Sequence, residues 1–174
     1  MPGFRPDVVV EVLNRHGVRY VLVGGVGATL HGSPLRTGDT DVCPARDVEN
    51  LRQLALALNE LKARIRTEGV EGGLPFACDE KVLAGVELLN LETDAGDLDL
   101  TFQPSGTAGY ADLVQHQERF ELGGVVAPTA SLDDIIRSKT AADRPKDRAA
   151  LPVLHELARQ IAARRPVVGQ NSSR

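Results

Sequence analysis

Residues 21–42 read VLVGGVGATLHGSPLRTGDTDV, and this stretch decides the fold. The run Arg19 to Val23 is short, apolar and rich in β-branched residues, which predicts a buried strand. Gly24 and Gly25 break it. Val26 to His31 then predicts a short helix, ended by Gly32. A second strand is expected over Thr40 to Pro44. Residues two apart on a strand share a face, so Asp39 and Asp41 project together while Thr40 and Val42 turn to the core.

The same pattern returns downstream. Val86 to Glu92 and Asp97 to Gln103 predict two strands joined through Thr93, Asp94, Ala95 and Gly96, a hairpin turn carrying Asp and Gly. On the second of these strands Asp97 and Asp99 share one face, and Leu98 and Leu100 share the other. Helices are expected around the strands. They run over Asp7 to His16, over Asp47 to Lys62 with Leu51, Leu54, Leu58 and Leu61 as its apolar stripe, and over Ser131 to Ala142. A last helix runs over Lys146 to Arg165, with Pro152 near the start of its regular part or kinking it. Ala63 to Thr67 and the runs Phe120 to Leu122 and Val125 to Ala127 fit further short strands. Glu68 to Pro75 reads as loop, and Tyr110 to His116 as a short helix or turn. Helices alternating with strands, plus one antiparallel hairpin, predict an α/β fold with a small mixed sheet and flanking helices. Its expected parts are a core over 1–128, a C-terminal helical segment over 129–166 packed on that core, and a flexible tail over 167–174.

Bulk properties narrow the field. A chain of 174 residues fits one domain. Aromatics make up only 3% and Trp is absent, so the core must be built from Leu, Val, Ile and Ala. The net charge of −4 supplies no general field for nucleic acid, so any such contact needs a local basic patch. Cys43 and Cys78 form no metal-binding spacing and read as reduced packing residues. The sequence shows no secretory leader and no run long enough to cross a bilayer, and a cytoplasmic protein is expected.

Carboxylates brought together raise one another's pKa unless a cation neutralises them. Two strands bearing such pairs therefore predict a hard-oxygen site suited to Mg²⁺ or Mn²⁺. The glycine pair, between a strand and a helix, offers backbone N–H groups to an anion such as phosphate. Two common phosphate loops do not fit. The span Gly27 to Ser33 lacks the P-loop lysine, and a dinucleotide G-x-G-x-x-G fails because its third position is Leu30.

The combination resembles the polymerase-beta-like nucleotidyltransferase superfamily. Its signature is an apolar strand, Gly-Gly or Gly-Ser, a spacer and D-x-D, with a third Asp on a later strand. Here thirteen residues separate Gly25 from Asp39, and Asp99 stands in the third place. Within the superfamily, His31, Gly32, Arg36, Thr37, Asp39 and Asp41 resemble a line of the AbiEii-type and MenT-type toxins, with Gly38 between Thr37 and Asp39. Lys139, Arg144, Lys146 and Asp147 are similar to those relatives' C-terminal line. The departure is Gly25, where many polymerase-like members use Ser.

The resemblance implies an enzyme that moves a nucleoside monophosphate from an NTP to an acceptor hydroxyl with two divalent ions. Asp39 and Asp41 would hold both ions. Asp99 would hold the nucleophile-side ion and take the proton, and Gly24 and Gly25 would seat the phosphates. Arg36, Thr37, Lys139 and Asp147 complete the expected nucleotide site, Lys139 counting among the catalytic groups. Asp147 could instead orient Lys139 or Arg144. His31 is read either as a packed or capping residue or as a catalytic one. Asp97 is an optional fourth acid, disfavoured as a ligand, and Tyr110 a candidate wall of the base pocket. The acceptor implied by the toxins is the 3′ end of tRNA, met by a patch of Arg137, Lys139, Arg144, Lys146 and Arg148, with a cognate antitoxin as protein partner. The alternatives are AMP transfer to a protein hydroxyl, nucleotidylation of a small molecule such as an aminoglycoside, and a non-catalytic binding member of the fold.

Overall fold

The computed structural model describes residues 3–165. The expected tail over 167–174 lies outside the described residues. Among these residues seven α-helices and seven strands follow in the order α1 (Pro6–Arg15), β1 (Tyr20–Val23), α2 (Gly24–Leu30), β2 (Asp39–Pro44), α3 (Val48–Glu60), β3 (Arg64–Ile65), α4 (Glu80–Ala84), β4 (Leu88–Thr93), β5 (Gly96–Thr101), α5 (Tyr110–Leu113), β6 (Glu118–Leu122), β7 (Val125–Thr129), α6 (Leu132–Ala142) and α7 (Pro145–Arg164). The strands form one mixed sheet in the order β3-β4-β5-β2-β1-β7-β6. Strand β2 is antiparallel to β1 and parallel to β5, and β4 pairs antiparallel with β5. The expected α/β class with a small mixed sheet is what the chain forms.

Strand alternation assigns the two faces. Tyr20, Leu22, Val42, Leu98 and Leu100 point to one side, where they meet Val9 and Leu13 of α1 and Leu51, Leu54 and Leu58 of α3. Val21 and Cys43 point to the other side and pack with Leu132, Ile135 and Ile136 of α6 and Leu154 of α7. Each helix stripe repeats at three- and four-residue spacing, so one side of each helix is buried. Helix α3 is capped by Asp47, whose carboxylate accepts from the Asn50 N–H at 3.1 Å, and α6 by Ser131, which accepts from the Asp134 N–H at 3.1 Å.

Three elements differ from the expectation. Helix α2 starts at Gly24 rather than Val26, so the glycine pair is its first turn. Helix α4 has no counterpart in the reading. Its five residues are too few for a visible periodicity, although Asp79 caps it by accepting from the Lys81 and Val82 N–H groups. Helix α7 runs unbroken through Pro152, which lies well inside the helix, is exposed, and has no N–H to offer the Arg148 carbonyl one turn back. Among the described residues no helix is long and apolar enough to cross a membrane.

Candidate active site

The register of β2 against β5 builds the acidic cluster. Asp39 lies opposite Asp97, and Asp41 opposite Asp99. All four belong to the sheet face that α6 and α7 cover, because Thr40, Val42, Leu98 and Leu100 of the same strands are wholly buried on the other face. Asp39, Asp41 and Asp99 each bring a carboxylate oxygen to within 4.8 Å of the other two. They line a cleft of about 950 Å³ between the sheet, the loop after α2, and α6 and α7.

Burial sets the electrostatics of this cluster. It pushes the Asp41 carboxyl up to about 7, with Asp39 and Asp99 adding to the rise and Lys146 and Lys139 opposing it. Asp99 is also raised, first by burial, while the Arg66 guanidinium pulls against the rise. Hard oxygen donors this close, one of them holding a proton near neutrality, fit a small divalent cation such as Mg²⁺ or Mn²⁺. Because Asp41 must give up its proton to such an ion, cation affinity is expected to fall as pH drops below about 7. Titration calorimetry between pH 6 and 8 checks this through the affinity and the protons released.

Space explains the glycine pair. Gly24 has φ +62°, and a Cβ on it would fall on the Asp41 carboxylate. A Cβ on Gly25 would meet Thr37 Oγ1 at 2.5 Å. The glycines thus let D-x-D and Thr37 close onto the turn, and a Ser at Gly25 would collide with Thr37. Their N–H groups, in the first turn of α2, have no intrahelical acceptor. Gly24→Ala is expected to displace Asp41 and lower kcat/KM by about 10²-fold, as a misplacement of about 1 Å does. Steady-state kinetics on the folded variant reads the loss.

The remaining expected residues fall into two groups. Thr37, Arg36 and Lys139 line the cleft. Thr37 Oγ1 donates to Asp39 Oδ1 at 3.0 Å, so this hydroxyl orients a carboxylate. Arg36 is exposed and unpaired among the described residues, and so is Lys146, which also lines the cleft. Asp147 is wholly buried and does not line the cleft. It accepts from Lys139 Nζ at 3.3 Å and from Arg144 Nε at 2.6 Å. It is therefore placed to orient both cations, and direct nucleotide contact is corrected. Burial works against its charge, but Arg144 and Lys139 hold its carboxyl below the usual range.

The structure also places the other residues singled out from the sequence. Tyr110 lines a separate, smaller cavity with Arg46 and Phe102, at the Pro44 end of β2 and away from the acids, and is no wall of the cleft. The His31 ring lies 2.8 Å from the Ala130 carbonyl and packs edge-on to Phe120, the packed reading. Within the expected basic patch, Arg137 pairs with Asp112 and Asp134, and Arg148 pairs with Asp143. Arg66, which sequence reasoning passed over, reaches Asp97 at 2.8 Å and Asp99 at 2.7 Å. The pairing of β3 with β4, and of β4 with β5, brings it there.

No protein-family model matches the chain, and neither does any curated protein. Solved structures do resemble it. The lincosamide antibiotic adenylyltransferase LnuA, with lincomycin bound, superposes with a TM-score of 0.58 at 15% identity, over 87% of this chain and 94% of that one. The antibiotic-resistance factor ANT(2″)-Ia in solution gives 0.55 at 14% identity, over 90% and 82%. Its complex with adenylyl-2″-tobramycin gives 0.53 at 15%, over 90% and 92%. At such identities the likeness is one of fold, and the chain has the nucleotidyltransferase fold.

Proposed function

We propose that the protein is a metal-dependent nucleotidyltransferase that moves a nucleoside monophosphate from an NTP to a hydroxyl of a small acceptor, releasing pyrophosphate. The observation that carries this reading is the triad Asp39, Asp41 and Asp99 on one sheet face, directly against the Gly24-Gly25 turn. A divalent cation held by the three carboxylates would neutralise the triphosphate and lower the pKa of the attacking hydroxyl. Gly24 and Gly25 present backbone N–H groups to the phosphates. Arg36, Lys139 and Lys146 line the same cleft and would offset the charge that gathers on the leaving pyrophosphate. Asp99 would serve the acceptor end of the site and take the hydroxyl proton.

The lining of that end supports a small acceptor. Leu88, Asn90, Thr101 and Gln103 are uncharged, and Arg66 is tied to two acids. A polyanion needs cations along its backbone, and the flanking Arg137 and Arg148 are already paired. The antibiotic adenylyltransferase LnuA and the antibiotic-resistance factor ANT(2″)-Ia, bound to adenylyl-2″-tobramycin, share the fold and agree with such an acceptor. The toxin-type reading, with tRNA as acceptor and an antitoxin as partner, rests on the two sequence lines that resemble those relatives.

Incubation with each α-labelled NTP, Mn²⁺ or Mg²⁺, total tRNA, cell protein and a panel of hydroxylated small molecules tests both. Label on a small molecule is the expected outcome. Label on tRNA selects the toxin-type reading, and no transfer to any acceptor counts against the enzyme.

A further inference from the structure

Arg66 follows the edge strand β3, and its backbone N–H donates to the Asn90 carbonyl at 2.9 Å, which anchors it beside β4. Its side chain then crosses β4 to reach β5. Nη1 lies 2.8 Å from Asp97 Oδ2, and Nη2 lies 2.7 Å from Asp99 Oδ1. One planar fork thus spans two carboxylates that sit two residues apart on one sheet face. The pair on Asp99 is sheltered, the side chains being 31% and 16% exposed.

Positive charge reaches the acidic cluster from two sides. Lys146 and Lys139 act on Asp41 from α6 and α7. On the Asp99 side the charge comes from Arg66. A fork bound to one oxygen of Asp99 satisfies a carboxylate that would otherwise face three others across two strands. A guanidinium and a divalent ion that share one carboxylate repel each other.

Resting on the metal-site reading above, we propose that Arg66 is the internal counter-cation of the Asp99 side: it holds Asp99 in place without a bound ion and competes with the ion for that carboxylate. Arg66 is thus a positioning residue that lets four acids assemble in the metal-free chain, at the cost of weaker ion binding.

The test is a Mn²⁺ titration followed by the electron paramagnetic resonance of free Mn²⁺, with thermal melts in EDTA and in Mn²⁺. Arg66→Gln removes the charge and keeps a hydrogen-bonding group, whereas Arg66→Lys keeps the charge. Arg66→Gln is expected to bind Mn²⁺ roughly 5-fold more tightly than wild type, and Arg66→Lys to stay within about 2-fold of it. Arg66→Gln should also melt lower in EDTA and show the larger rise on adding Mn²⁺. Equal or weaker Mn²⁺ binding by Arg66→Gln overturns the proposal. So does a variant that stays unfolded with Mn²⁺ present, because Arg66 would then be scaffolding. Asp41→Asn separates this inference from the reading beneath it. If that variant binds Mn²⁺ as wild type does, the metal site itself is wrong.

Discussion

Asp41→Asn is expected to abolish nucleotidyl transfer and, in the same protein, to raise the melting temperature measured in EDTA at pH 8. The first effect follows from removing the central carboxylate of the triad, with an expected fall in kcat of about 10³-fold or more. The second follows from burial. The folded chain holds the Asp41 proton up to about pH 7, whereas an unfolded chain releases it near 3.8. The stability Asp41 contributes is thus fully present below the unfolded value and is lost as pH rises through about 7. A rise from 3.8 to about 7 corresponds to an upper limit on the order of 4 kcal/mol, which water entering the open cleft reduces. Asparagine keeps the shape and never ionises. The two proteins should therefore melt together near pH 4 and separate by roughly 5 °C at pH 8, a shift that about 2 kcal/mol produces in a domain of this size. Calorimetric melts across that range check it. Equal melting temperatures at pH 8 would mean that Asp41 sits in a wetter and less crowded place than the structure shows.

This opposition between stability and chemistry was partly legible in the sequence. Alternation along TDV and DLDL puts acids on one face and apolar residues on the other, and that arithmetic survives in three dimensions because a strand has a strict period of two. Parallel pairing of β2 with β5, which sets Asp41 opposite Asp99, follows from no local pattern; the family resemblance placed a third Asp only on a later strand. Arg66 was out of reach for the same reason. It lies 33 residues from Asp99, directly after a two-residue strand whose pairing only the whole sheet defines. The glycine pair was recognised, but with an incomplete cause. A phosphate seat explains why the backbone is bare, and it does not reveal that the Asp41 and Thr37 side chains occupy the space a Cβ would need. The basic run on α6 and α7 misled in the opposite direction. Charges counted along a sequence look additive, yet Arg137 and Arg148 are paired with acids from neighbouring turns and loops.

Asp147→Ala is expected to destabilise the protein by about 2–4 kcal/mol and to weaken NTP binding, although the residue never faces the cleft. Its carboxylate is wholly buried between Lys139 of α6 and Arg144 at the start of α7. Deleting one member of a buried ion pair leaves the partner charge uncompensated, which costs more than the pair itself contributes. Arg144 is 58% exposed and turns to water, so the penalty falls mainly on Lys139, whose side chain is 18% exposed. Lys139 is then expected to swing from its place over the acids, raising KM for the NTP more than it lowers kcat. The pH dependence carries a distinct sign. Asp147 is held below the usual carboxylate range, so its contribution is present at neutral pH and disappears as pH falls through that lowered value. The gap in melting temperature between Asp147→Ala and wild type should therefore be widest near pH 7 and close in acid, the reverse of the Asp41→Asn pair. A gap that stays constant from pH 7 to pH 3 would assign Asp147 a packing role and remove its hold on Lys139.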